Sequence, residues 1–586
     1  MERETHRRKY WAPAAAAVLA LLAVFLPVNW LDRSLVEVPE SPLPPESVVT
    51  FVRAALALNA LLLAAWWISY RRRPEAEEED RPALLASTPP REPINNGEAL
   101  ILTLLIVVAA ALRFWKLGGD LWFDEVIDLV YYVRTSTTDL LLRFPGFFPQ
   151  VVSALSAKLS IAFWGESSWS FRLPAAVYGV LGVPALYALV RRAVGRFEAL
   201  LCAALLAVAY HHIFFSQNAR GYSLQVLLTI LATYYLWRAA ATHARRDWAW
   251  FIAMSVLNLY NQVFSLFVLA GLAAAFLGQW MWRWRQTGRA PCGLRRFMWA
   301  HLFIGSFSFL LYSPMMVGLL VRAGITAPNP GSGPQFAQGF LNELLQGLQA
   351  GYGTVAIIGG LVIFLAGVFR LWKKSGFLAA ALLLPLAVGL GTVMAGGIGS
   401  HPRYFLYTLP AGLVVIVSGI VAWAEIGARV LRLPQRDTVV RWVSVALVVA
   451  GMGVSLWKLV PYYRIPKQDF TGALRFAEAS RQPDESLVAT GLAAHAYSIY
   501  YHPGIKIVST VEELERLRME GERVWLLYTL PHALREQNPE MMQYIEQNFE
   551  VVRRFPGTVY QASLYVCRAE PTGPVARGEP PGSENH

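Results

Sequence analysis

Apolar runs long enough to cross a bilayer, roughly 17 to 25 residues each, recur along the first 460 positions and then stop. They fall at 11–29, 50–70, 98–117, 172–191, 198–216, 221–238, 248–263, 264–282, 298–320, 352–370, 377–397, 404–425 and 440–460. This pattern predicts a polytopic α-helical membrane protein of about thirteen spans. The breaks alternate in charge. Arg71 to Arg73, Arg191/Arg192/Arg196, Arg238/Arg245/Arg246, Arg283 to Arg296, Arg370/Lys373/Lys374 and Arg429/Arg432/Arg436 occupy every second loop, together with the basic N-terminus. The intervening loops are poor in Lys and Arg, as in 31–49, where Arg33 faces Asp32, Glu37, Glu40 and Glu46. Basic loops stay cytoplasmic, so the N-terminus is expected inside and, after an odd number of spans, the C-terminal region outside a plasma membrane.

Two stretches break the pattern. Between 117 and 172 polar residues are too frequent for a buried crossing, yet Val126/Leu129/Val130/Val133 and Val151/Leu155/Leu159/Phe163 recur at helical spacing. These read as interfacial helices on the outer surface. From 461 the composition is that of a soluble domain. Short β-rich segments (486–490, 506–510, 524–529, 550–555, 564–568) alternate with helical patterns (470–480, 511–520, 532–548), which predicts a small extracytoplasmic α/β domain. The expected organisation is a two-helix membrane hairpin at 1–73, a solvated cytoplasmic linker at 74–97, a transmembrane module at 98–460 with 117–172 as its outer loop, the α/β domain at 461–570 and a disordered tail at 571–586. The first run resembles a signal peptide, but no small-x-small cleavage pattern follows it, so it is read as a retained helix. No internal repeat is visible.

Composition agrees with a life in lipid: 55% of residues are hydrophobic and 16% charged, with a mean hydropathy of +0.39. The net charge of +12 could suggest nucleic acid, but the basic residues sit in short clusters between apolar runs, which argues against that partner. Cys202, Cys292 and Cys567 are scattered, with neither a disulfide framework nor metal-ligand spacing.

Ionisable residues beside apolar spans are costly and therefore informative. The outer side collects Asp124 and Glu125 in Leu121-Trp122-Phe123-Asp124-Glu125, Arg220 in Ser216-Gln217-Asn218-Ala219-Arg220-Gly221-Tyr222, and His401, Arg403 and Tyr404 in His401-Pro402-Arg403-Tyr404-Phe405. A carboxylate can take the proton of an acceptor hydroxyl as its oxygen attacks an anomeric carbon, while guanidinium groups stabilise charge growing on a departing phosphate. The plainer alternatives are that the acids cap the next helix and that the arginines hold lipid headgroups. Most aromatic residues read as interfacial anchors; Trp122 is singled out as a possible substrate contact.

At these residues the sequence resembles the glycosyltransferase C superfamily, in particular its protein O-mannosyltransferase and aminoarabinose-transferase group. Leu-Trp-Phe-Asp-Glu after a span is similar to that family's acidic motif, Phe171-Arg172-Leu173-Pro174 with Gly179 to its entry into the next span, Ser216 to Tyr222 to its Ser-x-x-Ala-Arg-x-Tyr, and Arg403-Tyr404 to its late Arg-Tyr. The Tyr462-Tyr463 to Asp469-Phe470 junction also resembles the family's entry into an extracytoplasmic domain. The resemblance implies a glycosyltransferase fold of this class and sugar transfer from a polyprenyl-phosphate donor by inverting direct displacement. Asp124 would be the base and Glu125 a supporting acid. Arg220 and Arg403, with Tyr222, His401 and Tyr404, would meet the donor phosphate. No obligatory cofactor or metal is implied.

The chain departs from the family pattern at three places. Arg143-Phe144-Pro145-Gly146-Phe147-Phe148-Pro149-Gln150 replaces the usual His-Pro-Pro stretch, so the histidine and any donor contact it makes are absent, and Arg143 and Asn218 are read as possible substrate contacts. Asn218 stands where relatives often carry an acid, and Asn261-Gln262 where many have Thr-His. Two extra spans precede the usual first one. The competing readings are a transporter or flippase of a lipid-linked substrate, which would favour midplane polar residues and internal repeats, and an inactive scaffold of the same fold.

Overall fold

The computed structural model describes residues 11–27, 46–72, 82–85, 93–142, 150–325, 342, 345–346, 354–396, 401–520, 523–559 and 562–572. Arg143, much of the 74–97 linker and nearly all of the 571–586 tail lie outside the described residues. The chain divides into two compact units: Met1–Trp115, Thr135–Gly165 and Arg172–Lys458 form the first, and Lys116–Arg134, Glu166–Phe171 and Leu459–His586 the second. Parts of the 117–172 loop, expected with the transmembrane module, thus group with the C-terminal residues, whose unit resumes at Leu459.

The first unit is helical and apolar. Among the described residues nine helices are long and apolar enough to cross a membrane, or ten if the bent pair Arg196–Val208 and Tyr210–Ser216 is one span. Of the other expected spans, two stand as shorter helices, and the one at 352–370 is the 21-residue helix Thr354–Lys374. Trp11–Phe25 has 15 residues and Arg245–Asn261 has 17, about 22–26 Å at ~1.5 Å per residue against a hydrocarbon core of ~30 Å. Val151–Trp164, at 14 residues, is shorter still. It buries Val151, Ser153, Ala154, Ala157 and Ser160 while Leu159, Phe163 and Trp164 stay exposed.

The expected continuous span at 198–216 bends by 55° at Ala209, whose backbone is extended. A break inside an apolar region frees carbonyls that must be satisfied, and two side chains do this. Arg113, fully buried, donates to the carbonyls of Leu206 (3.0 Å) and Ala207 (2.8 Å). Ser455 donates to the Val208 carbonyl (2.7 Å) and accepts from the Tyr210 N–H (2.9 Å).

Glu46–Arg72 packs along Trp11–Phe25 on one side and Leu294–Tyr312 on the other. Asn59 donates to the Ser306 carbonyl at 3.1 Å, and Trp66 meets Phe303 edge-on at 6.1 Å. The N-terminal hairpin is thus docked on the helical unit. The expectation of a solvated linker is corrected at 82–85: Leu84 is fully buried, the Pro82 carbonyl accepts the Cys292 N–H at 3.1 Å, and Gln279 donates to the Leu84 carbonyl at 3.4 Å. Several basic residues from the alternate loops meet buried acids: Arg191 with Glu98 (2.8 Å), Arg370 (3.2 Å) and Lys374 (2.7 Å) with Glu198, and Arg238 with Asp247 (3.1 Å).

The second unit carries a five-stranded sheet of order β2-β1-β3-β5-β4, with β1 Ser486–Ala489, β2 Lys506–Ile507, β3 Val524–Thr529, β4 Glu550–Phe555 and β5 Leu564–Ala569. β1 is parallel to β2 and β3; β5 is antiparallel to β3 and β4. β3 is buried along its whole length because alternate residues point to opposite faces. Trp525 and Leu527 face a core with Phe470, Tyr497, Leu564 and Val566, whereas Leu526 and Tyr528 face Leu514, Met541, Ile545 and Cys567. β4 is an exposed edge protected by the charges of Arg553 and Arg554. The helical pattern read at 532–548 is two helices, Pro531–Gln537 and Pro539–Asn548, because Pro539 lacks the N–H a continuous helix needs; Asn538 caps the second by accepting from the Met541 N–H at 3.0 Å. Of Val126/Leu129/Val130/Val133, expected on the outer membrane surface, Val126, Leu129 and Val133 are buried, and the helix Phe123–Asp128 packs on Gly491–Ala496 within this unit.

Glu485 ties the start of β1 to β3. It accepts from Trp525 Nε1 (2.7 Å), Arg523 (2.7 Å) and the Gln482 N–H (2.9 Å). Burial alone would raise this carboxyl, but those three donors hold it below the ordinary 4.5. A carboxyl depressed on folding stabilises fully above its unfolded value and loses that contribution as pH falls through the lower folded value. Glu485→Gln is therefore expected to destabilise the unit at pH 7 by about 1–3 kcal/mol, with the gap to wild type closing below about pH 4. Thermal melts across pH 3–7 check this, and a gap that does not narrow with acid would contradict it.

Candidate functional site

The acidic segment lies in the second unit. Trp122 is extended and precedes Phe123–Asp128. Glu125, the third residue of that helix, is fully buried and its Oε2 accepts the Trp122 N–H at 3.4 Å, so the helix-capping role open to both acids is taken by Glu125. Asp124, in the first turn, is partly exposed. Helix starts favour negative charge through their unpaired N–H groups. Glu125 is thus committed to the fold, and Asp124 lies partly exposed beside it. Trp122 is only 5% exposed; its ring is packed rather than open.

Three backbone contacts hold this segment. The Leu121 carbonyl accepts from Tyr501 Oη at 2.5 Å, the Phe123 N–H donates to Gln468 Oε1 at 2.7 Å, and Asp120 Oδ2 accepts the Thr471 N–H at 3.2 Å. Further along, the Tyr131 ring stacks on His495 at 5.9 Å and Arg134 pairs with Glu166 at 2.7 Å.

Arg220, Tyr222, Asn218, His401, Arg403 and Tyr404 lie in the first unit. The loop between Tyr210–Ser216 and Tyr222–Thr242 is anchored at both ends. Gln217 Nε2 donates to the Trp115 carbonyl at 2.6 Å and lies 3.0 Å from that of Arg113, closing the C-terminal end of Asn96–Phe114. Gly221 is clamped on both sides: its N–H donates to Gln150 Oε1 and its carbonyl accepts from Asn261 Nδ2 at 2.8 Å. Asn261 is set in turn by Ser153 Oγ at 2.9 Å. A Cβ on residue 221 would come within 2.6–2.8 Å of Asn261 and Ser153, so glycine is required there. The Arg220 guanidinium lies 5.7 Å from the Tyr222 ring centroid, and Tyr222, fully buried, packs edge-on against Phe215 at 4.9 Å. Tyr222 is thus the support beneath Arg220 rather than an open donor contact. Asn218 is fully buried, and among the described residues neither atom of its amide has a hydrogen-bond partner.

Arg403 repeats the arrangement. Its guanidinium lies 5.6 Å from the Tyr404 ring centroid, and Tyr404 is held by Phe264 at 4.8 Å and His401 at 5.7 Å. The turn Pro402–Thr408 starts at a proline, whose fixed φ suits a helix start. Each arginine is thus held beside an aromatic ring at cation–π distance.

Gln150, Ser153, Gln217, Gln468 and Tyr501 were not singled out from sequence. For Gln217 a signal existed, since it adjoins Arg220 in one polar island between apolar runs. For Gln468 and Tyr501 none did, because their partners lie 345 and 380 positions away.

Fold and residues together define a multi-pass membrane protein with a small α/β unit, an exposed carboxylate on a short helix and two tyrosine-backed arginines at helix starts. Residues 149–317 match the sequence model of the family described as dolichyl-phosphate-mannose-protein mannosyltransferase. That match supports the glycosyltransferase C superfamily, in its protein O-mannosyltransferase-like group, and a glycosyltransferase activity; the matched segment contains Asn218, Arg220 and Tyr222. No match was found among curated proteins. Among solved structures the chain is similar to apo ArnT from Cupriavidus metallidurans, with 13% identity over 80% of this chain and 97% of that one and a TM-score of 0.45. It is also similar to the archaeal oligosaccharyltransferase AglB from Archaeoglobus fulgidus in complex with an inhibitory peptide and a dolichol-phosphate (11%, 80% and 74%, TM-score 0.42). A third similar structure is the arabinosyltransferase EmbB from Mycobacterium smegmatis (12%, 72% and 45%, TM-score 0.42).

Proposed function

We propose that the chain transfers a hexose or pentose from a polyprenyl-phosphate carrier to an extracytoplasmic acceptor by a single inverting displacement. Asp124 takes the proton of the acceptor hydroxyl, that oxygen forms the new bond to the anomeric carbon on the face opposite the phosphate, and the anomeric C–O bond to phosphate breaks. The electron pair leaves with the polyprenyl phosphate, whose charge grows by one and is met by Arg220 and Arg403. Glu125 holds the turn that presents Asp124. The observation that carries the proposal is the sorting of the two acids, Glu125 buried in a cap and Asp124 partly exposed beside it. It is supported by the tyrosine-backed arginines and by the family match, whose own description names a dolichyl-phosphate-linked sugar. The alternating basic loops support a cytoplasmic N-terminus and an extracytoplasmic C-terminal domain in a plasma membrane.

Arg403→Ala is expected to raise the donor concentration needed for half-maximal turnover by roughly ten- to hundredfold, the loss of a charged hydrogen bond, with Arg403→Lys intermediate. Initial rates against donor concentration check this, and unchanged donor dependence would remove the phosphate role. The displacement itself is tested by the anomeric configuration of the product: inversion is expected, and retention would exclude a single direct step.

A further inference from the structure

We infer that Gln468 is a positioning residue for Asp124, so that turnover is set by the C-terminal α/β domain through one buried side chain; this rests on the role proposed above for Asp124. Gln468 is fully buried and both ends of its amide are engaged. Oε1 accepts the N–H of Phe123, the residue immediately before Asp124, at 2.7 Å. Nε2 donates to Thr529 Oγ1 at 3.2 Å, and Thr529, the last residue of β3, donates to the Ser563 carbonyl at 3.0 Å. A chain of three hydrogen bonds therefore runs from the loop before β5, through the end of the central strand, to the peptide that carries the carboxylate.

The anchor is itself fixed. The Pro466 carbonyl accepts the Thr558 N–H at 3.0 Å, and a Cβ on Gly557 would lie 2.5 Å from the Lys467 carbonyl. Asp469, the next residue, caps the helix Phe470–Ser480 by accepting from the Gly472 N–H at 2.8 Å. Tyr501 reinforces the same segment through the Leu121 carbonyl, its ring stacked on Phe470 at 4.9 Å. Asp124 sits in the first turn of the helix Phe123–Asp128, which runs on into a π turn at Leu129–Val133, a length that is marginal for an isolated helix. Its direction is instead inherited from groups that are buried, satisfied and rooted in the sheet. A base misplaced by about 1 Å loses on the order of a hundredfold in rate, so these contacts act on the chemical step rather than on donor binding.

The test uses the full chain in nanodiscs with radiolabelled undecaprenyl-phosphate hexoses and pentoses, comparing Gln468→Leu, Gln468→Glu, Tyr501→Phe and Asp124→Asn. Gln468→Leu removes both hydrogen bonds and is expected to lower kcat roughly 10- to 100-fold while leaving the donor KM within about twofold of wild type. Gln468→Glu keeps the acceptor for the Phe123 N–H but gives up the donor to Thr529, and is expected to restore part of the rate. Deuterium uptake over residues 119–128 should rise in Gln468→Leu and not in Gln468→Glu. If Gln468→Leu does not fold, Tyr501→Phe, which keeps its ring, carries the test with a several-fold fall in kcat alone. Wild-type kcat in a folded Gln468→Leu or Tyr501→Phe, or a rise in KM without a fall in kcat, overturns the positioning role while an inactive Asp124→Asn leaves the base intact. Wild-type turnover in Asp124→Asn removes the base, and the positioning role with it.

Discussion

Asp124→Asn is expected to insert, fold and bind donor as wild type does while losing turnover by about 10²- to 10⁴-fold, the usual contribution of a positioned base. The substitution keeps the size of the side chain and its place in the first turn of Phe123–Asp128. The contacts made by Asp120, by the Leu121 carbonyl and by the Phe123 N–H are left in place. Glu125→Gln provides the contrast. Glu125 is buried and accepts the Trp122 N–H, so its loss should lower the melting temperature as well as the rate. Paired melting and rate measurements separate the two acids; equal thermal losses in both variants would show that Asp124, too, serves the fold.

The second large effect is structural. Thr354–Lys374 and Leu409–Val430 pack with their backbones in near contact: a Cβ on Gly419 would lie 1.9 Å from the Ile363 carbonyl oxygen, and one on Gly367 would lie 1.9 Å from that of Val415. Both clashes are with backbone, so no rotamer change relieves them and the helices must separate. Small residues at helix crossings permit such approaches where lipid offers no hydrophobic drive to association. Gly419→Ala is therefore expected to destabilise by about 1–3 kcal/mol or more, and with Gly367→Ala to remove most monodisperse protein. Gly412 and Gly427 lie on the same helix and have open space at the Cβ position, so their alanine variants should express at least as well as wild type. Size-exclusion profiles and melts of the four single variants check this; a wild-type profile for Gly419→Ala would contradict the packing.

The helical architecture was legible because lipid leaves a chain few choices: each apolar run must satisfy its backbone internally, and that need is written in consecutive residues. Where a run meets its needs through distant partners, the pattern misleads. The stretch 198–216 is mostly apolar and reads as one span, yet it bends at Ala209, where Arg113 and Ser455 take up the freed backbone groups. Leu84 is likewise one apolar residue in a polar linker, and only the fold reveals the pocket that buries it. In the soluble region β3 was plain from its unbroken apolar run, whereas the helix Gly491–Ala496 and the turn that follows it were not. Of the proposed site residues, Asp124, Arg220 and Arg403 stood out as charges beside apolar runs. Gln468 and Tyr501 look like ordinary polar residues of an α/β domain until their hydrogen bonds to residues 121 and 123 are seen.

Release of polyprenyl phosphate is the most direct test of the central claim. Purified protein in nanodiscs is incubated with a panel of radiolabelled polyprenyl-phosphate sugars and an extract of extracytoplasmic acceptors, with wild type and Asp124→Asn side by side. Wild type is expected to release polyprenyl phosphate from one sugar class and pass the label to an acceptor, and Asp124→Asn to bind the same donor and release none. Donor binding without release by either protein, or movement of intact labelled lipid between leaflets, would contradict sugar transfer and favour a carrier of lipid-linked substrate.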